Sequence, residues 1–172
     1  MASDTKNVKL GVCQVLFDGI DLGYTKGGVE VEVKTETHEV QVDQFGKTPI
    51  NEYIMGRTVT VKVPLAETTL ENMVAIMPGA TLKTSGTDKY VEVTSAVGID
   101  LLSSAKELRL HPVALPASNT SEDFVAPLAN TPGNMNYAYK LEDERIFNCD
   151  FKAYPDPQTN KLFYIGVPDG VI

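Results

Sequence analysis

The chain has no tryptophan and only two cysteines and two histidines among its 172 residues. Cys13 and Cys149 stand far apart with no Cys-x-x-Cys or Cys/His spacing, so neither a disulfide framework nor a zinc site is expected, and a reduced compartment suits the thiols. No apolar stretch approaches the roughly 18 residues needed to cross a bilayer, and residues 1–9 are polar, so neither membrane insertion nor an export signal is expected. Positive charge is also scarce: 15 Lys and Arg against 23 Asp and Glu give a net charge of −8. That balance offers no electrostatic basis for a sequence-independent grip on phosphates, which disfavours direct nucleic-acid binding.

Abundance lies with β-branched residues, 19 Val and 16 Thr, which pack well on a pleated surface and crowd a helix. Val29, Val31 and Val33 alternate with Glu30, Glu32 and Lys34. The same period returns at Val40 and Val42, at Val59, Val61 and Val63, and over Tyr90 to Thr94. Leading strands are expected over Val8, Leu10 and Val12 and over residues 15–17, and another over Glu107 to Ala114. One helix is expected in AETTLENMVAIMPG, where Leu70, Met73, Val74 and Met77 recur at helical spacing. Thr68 and Glu71 have capping-box spacing there, and Pro78-Gly79 closes it. At the C-terminus, residues 145–153 and 161–167 read as a hairpin around YPDPQTN. The expected architecture is mainly β, an antiparallel sandwich or barrel-forming sheet with one flanking helix and long extended loops. At this length a single domain, 1–172, is the default.

Two stretches lack periodicity. Gln44 to Gly56 separates two well-marked strands, where about 4 to 6 connecting residues are usual. Pro116 to Asn136 holds three prolines, yet Phe124, Val125 and Leu128 are apolar. Both read as segments that dock onto neighbours, the second as a docking arm.

Chemistry-bearing constellations are sparse. Cys13 and His38 could form a dyad in principle, but Cys13 sits in an alternating strand and reads as a packed thiol. His38 and His111 are too far apart in sequence for metal spacing and read as ordinary strand residues. LGYTKGGV lacks the helix start and the Lys-Ser/Thr pair of a phosphate loop, and the acidic run 142–144 has no calcium-loop spacing. No catalytic residue, metal or cofactor is implied, and a structural or binding role is expected instead of an enzyme.

The strings DLGYTKGGVEVEV (21–33), DQFGKTPINEYIMGRTVTVKVPLAETTLENM (43–73), PGA (78–80) and FKAYPDPQTNKLFYIGVPD (151–169) are together similar to the major tail tube protein of long-tailed bacteriophages. The resemblance implies a homo-oligomer: six copies in a ring whose inner sheets close one barrel, with rings stacked into the virion tail tube. A tail tip, a tail terminator and a tape measure protein in the lumen would be its partners. Phage DNA would pass through without specific binding. The subunit would be made in the host bacterial cytoplasm, and an immunoglobulin-like decoration domain has no room. Gln44, Phe45, Thr48, Ile50, Tyr53 and Ile54 would then lie in a ring-to-ring loop, and Glu30, Glu32 and Lys34 would face the lumen. Two alternatives remain, a soluble β-sandwich ligand-binding module and a tube protein of a contractile tail or secretion machine.

Overall fold

The structure, a computed structural model, describes residues 8–9, 11–95 and 97–166. Its strands are β1 (Cys13–Phe17), β2 (Ile20–Asp21), β3 (Glu30–Val40), β4 (Asn51–Leu65), β5 (Ala80–Ser85), β6 (Asp88–Val93), β7 (Lys106–Pro112), β8 (Phe124–Asn130), β9 (Phe147–Ala153) and β10 (Tyr164–Ile165). A helix, α1 (Leu70–Ile76), follows β4. The main sheet runs β2-β1-β7-β8-β9-β4-β3 with β10 also beside β8, and β5-β6 form a separate hairpin. Every pairing is antiparallel.

The valine row of β4 builds the core as its alternation requires, while Val31 and Val33 lie on the same face of β3 but stay exposed. Val31 lies opposite Val61 and Val33 opposite Val59, while Val61 and Val63 lie opposite Phe151 and Cys149 on β9. Val59, Val61, Val63, Phe147, Cys149 and Phe151 are buried, and Asn148, Asp150 and Lys152 between them are exposed. Phe17 on β1 meets Phe151 on β9 with ring centroids 5.0 Å apart, although β7 and β8 separate their strands in the sheet. The sheet therefore bends over itself, and its two halves share one apolar interior.

β8 sits at the bend. One of its edges pairs with β7, and the other is divided between β10 at Phe124 and Val125 and β9 at Ala129 and Asn130. This overturns the docking arm expected in the segment. Val125 is 1% exposed, Phe124 is buried and Leu128 half-buried within the chain's own sheet. A strand covered on both faces shows no alternation. Pro127, which made the stretch look like a loop, falls where the β7–β8 register shifts by one residue, a bulge that tolerates its missing N–H.

Other expectations shift locally. β3 is one continuous strand where two were expected, and β4 starts at Asn51, so residues 51–56 are strand and not loop. Their alternation is broken by a bulge, in which Glu36 pairs with Gly56 but Thr37 with Ile54, leaving Met55 as the extra residue. The N-cap of α1 is Thr69, whose side chain accepts from Asn72 N; the Thr68 hydroxyl accepts from Arg145 at 2.8 Å instead. The buried face of the helix is Asn72 and Ile76, with Asn72 Nδ2 donating to the carbonyls of Leu22 and Glu67 at 2.8 Å each. β10 pairs with β8 and not with β9, so the C-terminal hairpin does not form. Gly166 (φ +72) seats that strand, since a Cβ there would lie 2.6 Å from the Ser121 carbonyl oxygen. Val8 and Val12 are exposed outside any strand. Leu10 and residues 167–169 of the expected pattern lie outside the described residues.

Candidate functional site

β3 is the last strand of the sheet. It pairs with β4 along its whole length, and the N–H and C=O groups of its alternate residues, which point to the other edge, have no strand beside them among the described residues. At the opposite margin β2 has only two residues. Val31 and Val33 remain 38% and 44% exposed because no strand covers them from outside. A long open edge is a template for pairing with another chain.

Beyond Thr58 the β3–β4 pair leaves the sheet. β9 reaches only to Thr60, so residues 34–40 and 51–58 form a two-stranded arm, and all of them but Val40 are exposed. Its tip, residues 41–50, contains a short 3-10 helix at Asp43–Phe45 and a turn at Gly46, whose N–H donates to the Asp43 carbonyl. Thr48 N donates to the Phe45 carbonyl, and Ile50 N to that of Val40, closing the loop without help from the rest of the chain. Of the residues read as a ring-to-ring loop, Gln44, Phe45, Thr48 and Ile50 lie in this tip, and Tyr53 and Ile54 lie on β4 beside it. Phe45, Ile50, Tyr53, Ile54 and Met55 are all exposed large apolar residues, a concentration without cover in the subunit.

The face of β3, β4 and β9 turned away from the core carries Glu30, Glu32, Lys34, Glu36, Thr58, Thr60, Lys62, Asp150 and Lys152. The row is not simply acidic. Lys62 Nζ donates to Glu30 Oε2 at 3.1 Å and lies opposite Asp150, and Lys34 Nζ lies 3.2 Å from Glu32 Oε1. The Glu30 hydrogen bond, with Glu32 and Asp150 nearby, holds the Lys62 ammonium above its ordinary pKa.

Cys13 and His38 lie on β1 and on the β3 arm, separated by β7, β8, β9 and β4, and form no dyad. Burial raises the Cys13 thiol pKa and pushes that of Cys149 up to about 12. A cleft of about 580 Å³ is lined by Cys13, Gln14, Asp21, Tyr24, Glu67 and His111. Its carboxylates are committed: Asp21 accepts from Gly23 N and Gln14, and Glu67 accepts from Tyr24 N. Among the described residues no group of His, Cys, Asp and Glu could hold a metal ion, and no helix is long and apolar enough to cross a membrane.

Two polar arrangements, one buried and one near the surface, were not legible in the sequence. His111 is buried, with Nδ1 2.7 Å from Asp123 Oδ1 and Nε2 3.3 Å from the Leu115 carbonyl, while Arg109 Nη1 lies 3.6 Å from Asp123 Oδ2. Both ring nitrogens face oxygen atoms that can accept a hydrogen bond. Arg109 and His111 alternate with Leu108 and Leu110, so their face would have been read as solvent; the loop after β7 covers it. Arg145 lies 5.5 to 5.9 Å from the ring centroids of Tyr137, Tyr139 and Phe147 and donates to Thr68, tying residues 137–147 to the start of α1. The clustered tyrosines were its only sequence signal.

Neither a protein-family model nor a curated protein matches the chain.

Proposed function

We propose that the chain is a structural subunit that closes rings by pairing the open edge of β3 with a neighbouring copy and stacks those rings through the β3–β4 arm. This is the assembly of the phage tail tube fold, and the resemblance to major tail tube proteins supplies the rest of the reading: six copies per ring, a tube in the virion tail, and genome delivery through its lumen. The observation that carries the proposal is an edge strand without a neighbour among the described residues, whose residues 30–33 border the sheet and whose residues 34–40 continue into an exposed arm with an apolar tip. An edge of this length is an aggregation liability in a monomer, and closing a barrel across subunits removes it. The two unlike faces of a ring, paired again and again along an axis, make a heterologous contact, which grows as an open filament. Phe45, Ile50, Tyr53 and Ile54 supply apolar anchors of the kind that dominate interface energetics. Electron microscopy of concentrated protein, alone and seeded with tail tips, tests the reading. Stacked rings with a central hole are expected, and monomers alone by microscopy and sedimentation would overturn it.

A further inference from the structure

Two unlike surfaces lie at opposite ends of one strand. β4 spans fifteen residues, about 50 Å of extended chain. The arm tip, residues 41–50, precedes its first residue, and Glu67 follows its last by two. At that far end residues 24–26 run beside β4, Ala66 N donating to the Tyr24 carbonyl and Lys26 N to that of Pro64, and the cleft of about 580 Å³ opens there. Its rim is apolar, with Val12, Tyr24 and Val113 each more than half exposed. Asp21 and Glu67 line it, and the donors that reach them, Gly23 N, Tyr24 N and the Gln14 amide, are neutral. No lysine or arginine lines this cleft, whereas four other clefts lined by carboxylates each hold a lysine as well. The tip has the converse composition. Phe45 and Ile50 are exposed, and Lys47 between them has no ion pair among the described residues. Asp43 opens the short 3-10 helix of the tip and Lys47 follows its end, so the two charges stand at different ends of that turn.

We propose that the arm tip of one copy docks in this cleft of a second copy, with the Lys47 ammonium on Asp21 and Glu67 and the Phe45 ring against the rim of Val12, Tyr24 and Val113. The inference rests on the tube reading for where the second copy sits, in the next ring; the fit of tip to cleft belongs to the two surfaces themselves. Because they are different surfaces at opposite ends of β4, their contact is heterologous, and each copy keeps a free tip at one end and a free cleft at the other. Docking covers Phe45 and the rim, which supplies apolar burial. Lys47 supplies register: Glu67 is already half-buried, and closing the cleft over it without a cation would strand a carboxylate in the joint.

A zero-length carbodiimide joins an amine to a carboxylate only where the two touch. Applied to an equal mixture of isotope-labelled and unlabelled chains at high concentration, then digested and read by mass spectrometry, it should link Lys47 to Asp21 or Glu67, in mixed-isotope pairs that mark a contact between copies. Lys47→Glu should raise the concentration needed for association by about tenfold, read by sedimentation velocity, and adding Glu67→Lys should recover most of that loss. Lys47 is exposed in the tip, so the single variant keeps its fold even where Glu67→Lys, which gives up the bond from Tyr24 N, does not; circular dichroism checks both. Lys47 linked elsewhere, association unchanged by Lys47→Glu, or a folded reversal pair that fails to recover would each overturn the docking. Tubes seen by microscopy in those cases keep the tube reading. Chains linked from Lys47 to the cleft that never form rings refute the tube and keep the docking, and chains that neither link nor associate overturn both.

Discussion

Cys149 lies at the centre of β9 with its Sγ donating to the Val63 carbonyl at 3.1 Å, and burial pushes its pKa up to about 12. In the unfolded chain the thiol ionises near its ordinary pKa of 9.0. Above that pH the unfolded chain releases a proton that the folded chain retains, so the stability difference is fully present below about pH 9 and is lost as pH rises toward 12. Between pH 8 and pH 10 the loss from this residue should be about 1 kcal/mol. The check is urea unfolding at both pH values for the parent and for Cys149→Ala. The alanine variant is less stable at pH 8 because it leaves a cavity, but its further loss at pH 10 should be smaller. An identical pH slope in the two proteins would show that the thiol ionises while folded. His111 is the other residue whose removal should be felt. Asp123 is 1% exposed, and without the imidazole its carboxylate loses the 2.7 Å contact to Nδ1 and is left with the longer one to Arg109 at 3.6 Å. His111→Ala should cost about 2 kcal/mol, measured by urea unfolding at pH 7, because it leaves a buried carboxylate without its hydrogen-bond partner. A loss within about 0.5 kcal/mol of zero, the range of ordinary surface changes, would place water or a rearranged loop at Asp123.

At the scale of elements, the chain was most legible where one face is dry and the other wet. Val59, Val61 and Val63 and the alternating β9 announced their strands because each buried residue has an exposed neighbour. β8 stayed hidden because burial on both faces erases that contrast. The first part of β4 stayed hidden because Met55, the bulge residue, shifts the period of two by one step. The cap of α1 was misplaced by a single residue, since Thr68 and Thr69 are chemically alike and only Arg145, 77 residues away, decides which hydroxyl is free to cap. Of the candidate site, the apolar tip was legible as composition but not as a strand-supported arm. That distinction changes what the arm should tolerate. Replacing residues 41–50 by an Asn-Gly turn preserves the pairing of Val40 with Asn51 in a favoured two-residue hairpin. Nothing buried is removed apart from part of the Val40 environment, so the melting temperature should stay close to the parent's, within what about 1 kcal/mol would shift. Ring stacking should nevertheless fail, leaving single rings or subunits by sedimentation velocity. Normal tubes from the shortened protein would show that the tip is not the contact between rings.

For the whole molecule, the decisive feature is the longer of the sheet's two outer edges. At one margin the two-residue β2 covers part of β1, and at the other the eleven-residue β3 has no strand beside its outer edge among the described residues. Natural sheets that must stay monomeric commonly block such an edge with lysines pointing toward the core side, and the β3 positions that could carry this block hold Val31 and Val33. The double change Val31→Lys and Val33→Lys installs it. In a free subunit the lysine stems can lie on Val59 and Val61 while the ammonium groups reach water, because both positions are more than a third exposed. The subunit should therefore stay folded, with a loss of about 1 kcal/mol for each valine contact given up. Once a neighbouring strand pairs along the edge, the same ammonium groups would be covered with no carboxylate to meet them, at a cost of several kcal/mol each. The expected result is a soluble monomer at concentrations where the parent forms rings, read by sedimentation velocity and microscopy. Val31→Thr with Val33→Thr, which keeps the β-branch and adds no charge, should still assemble. If the lysine variant forms rings as readily as the parent, the joint between subunits lies elsewhere than the β3 edge.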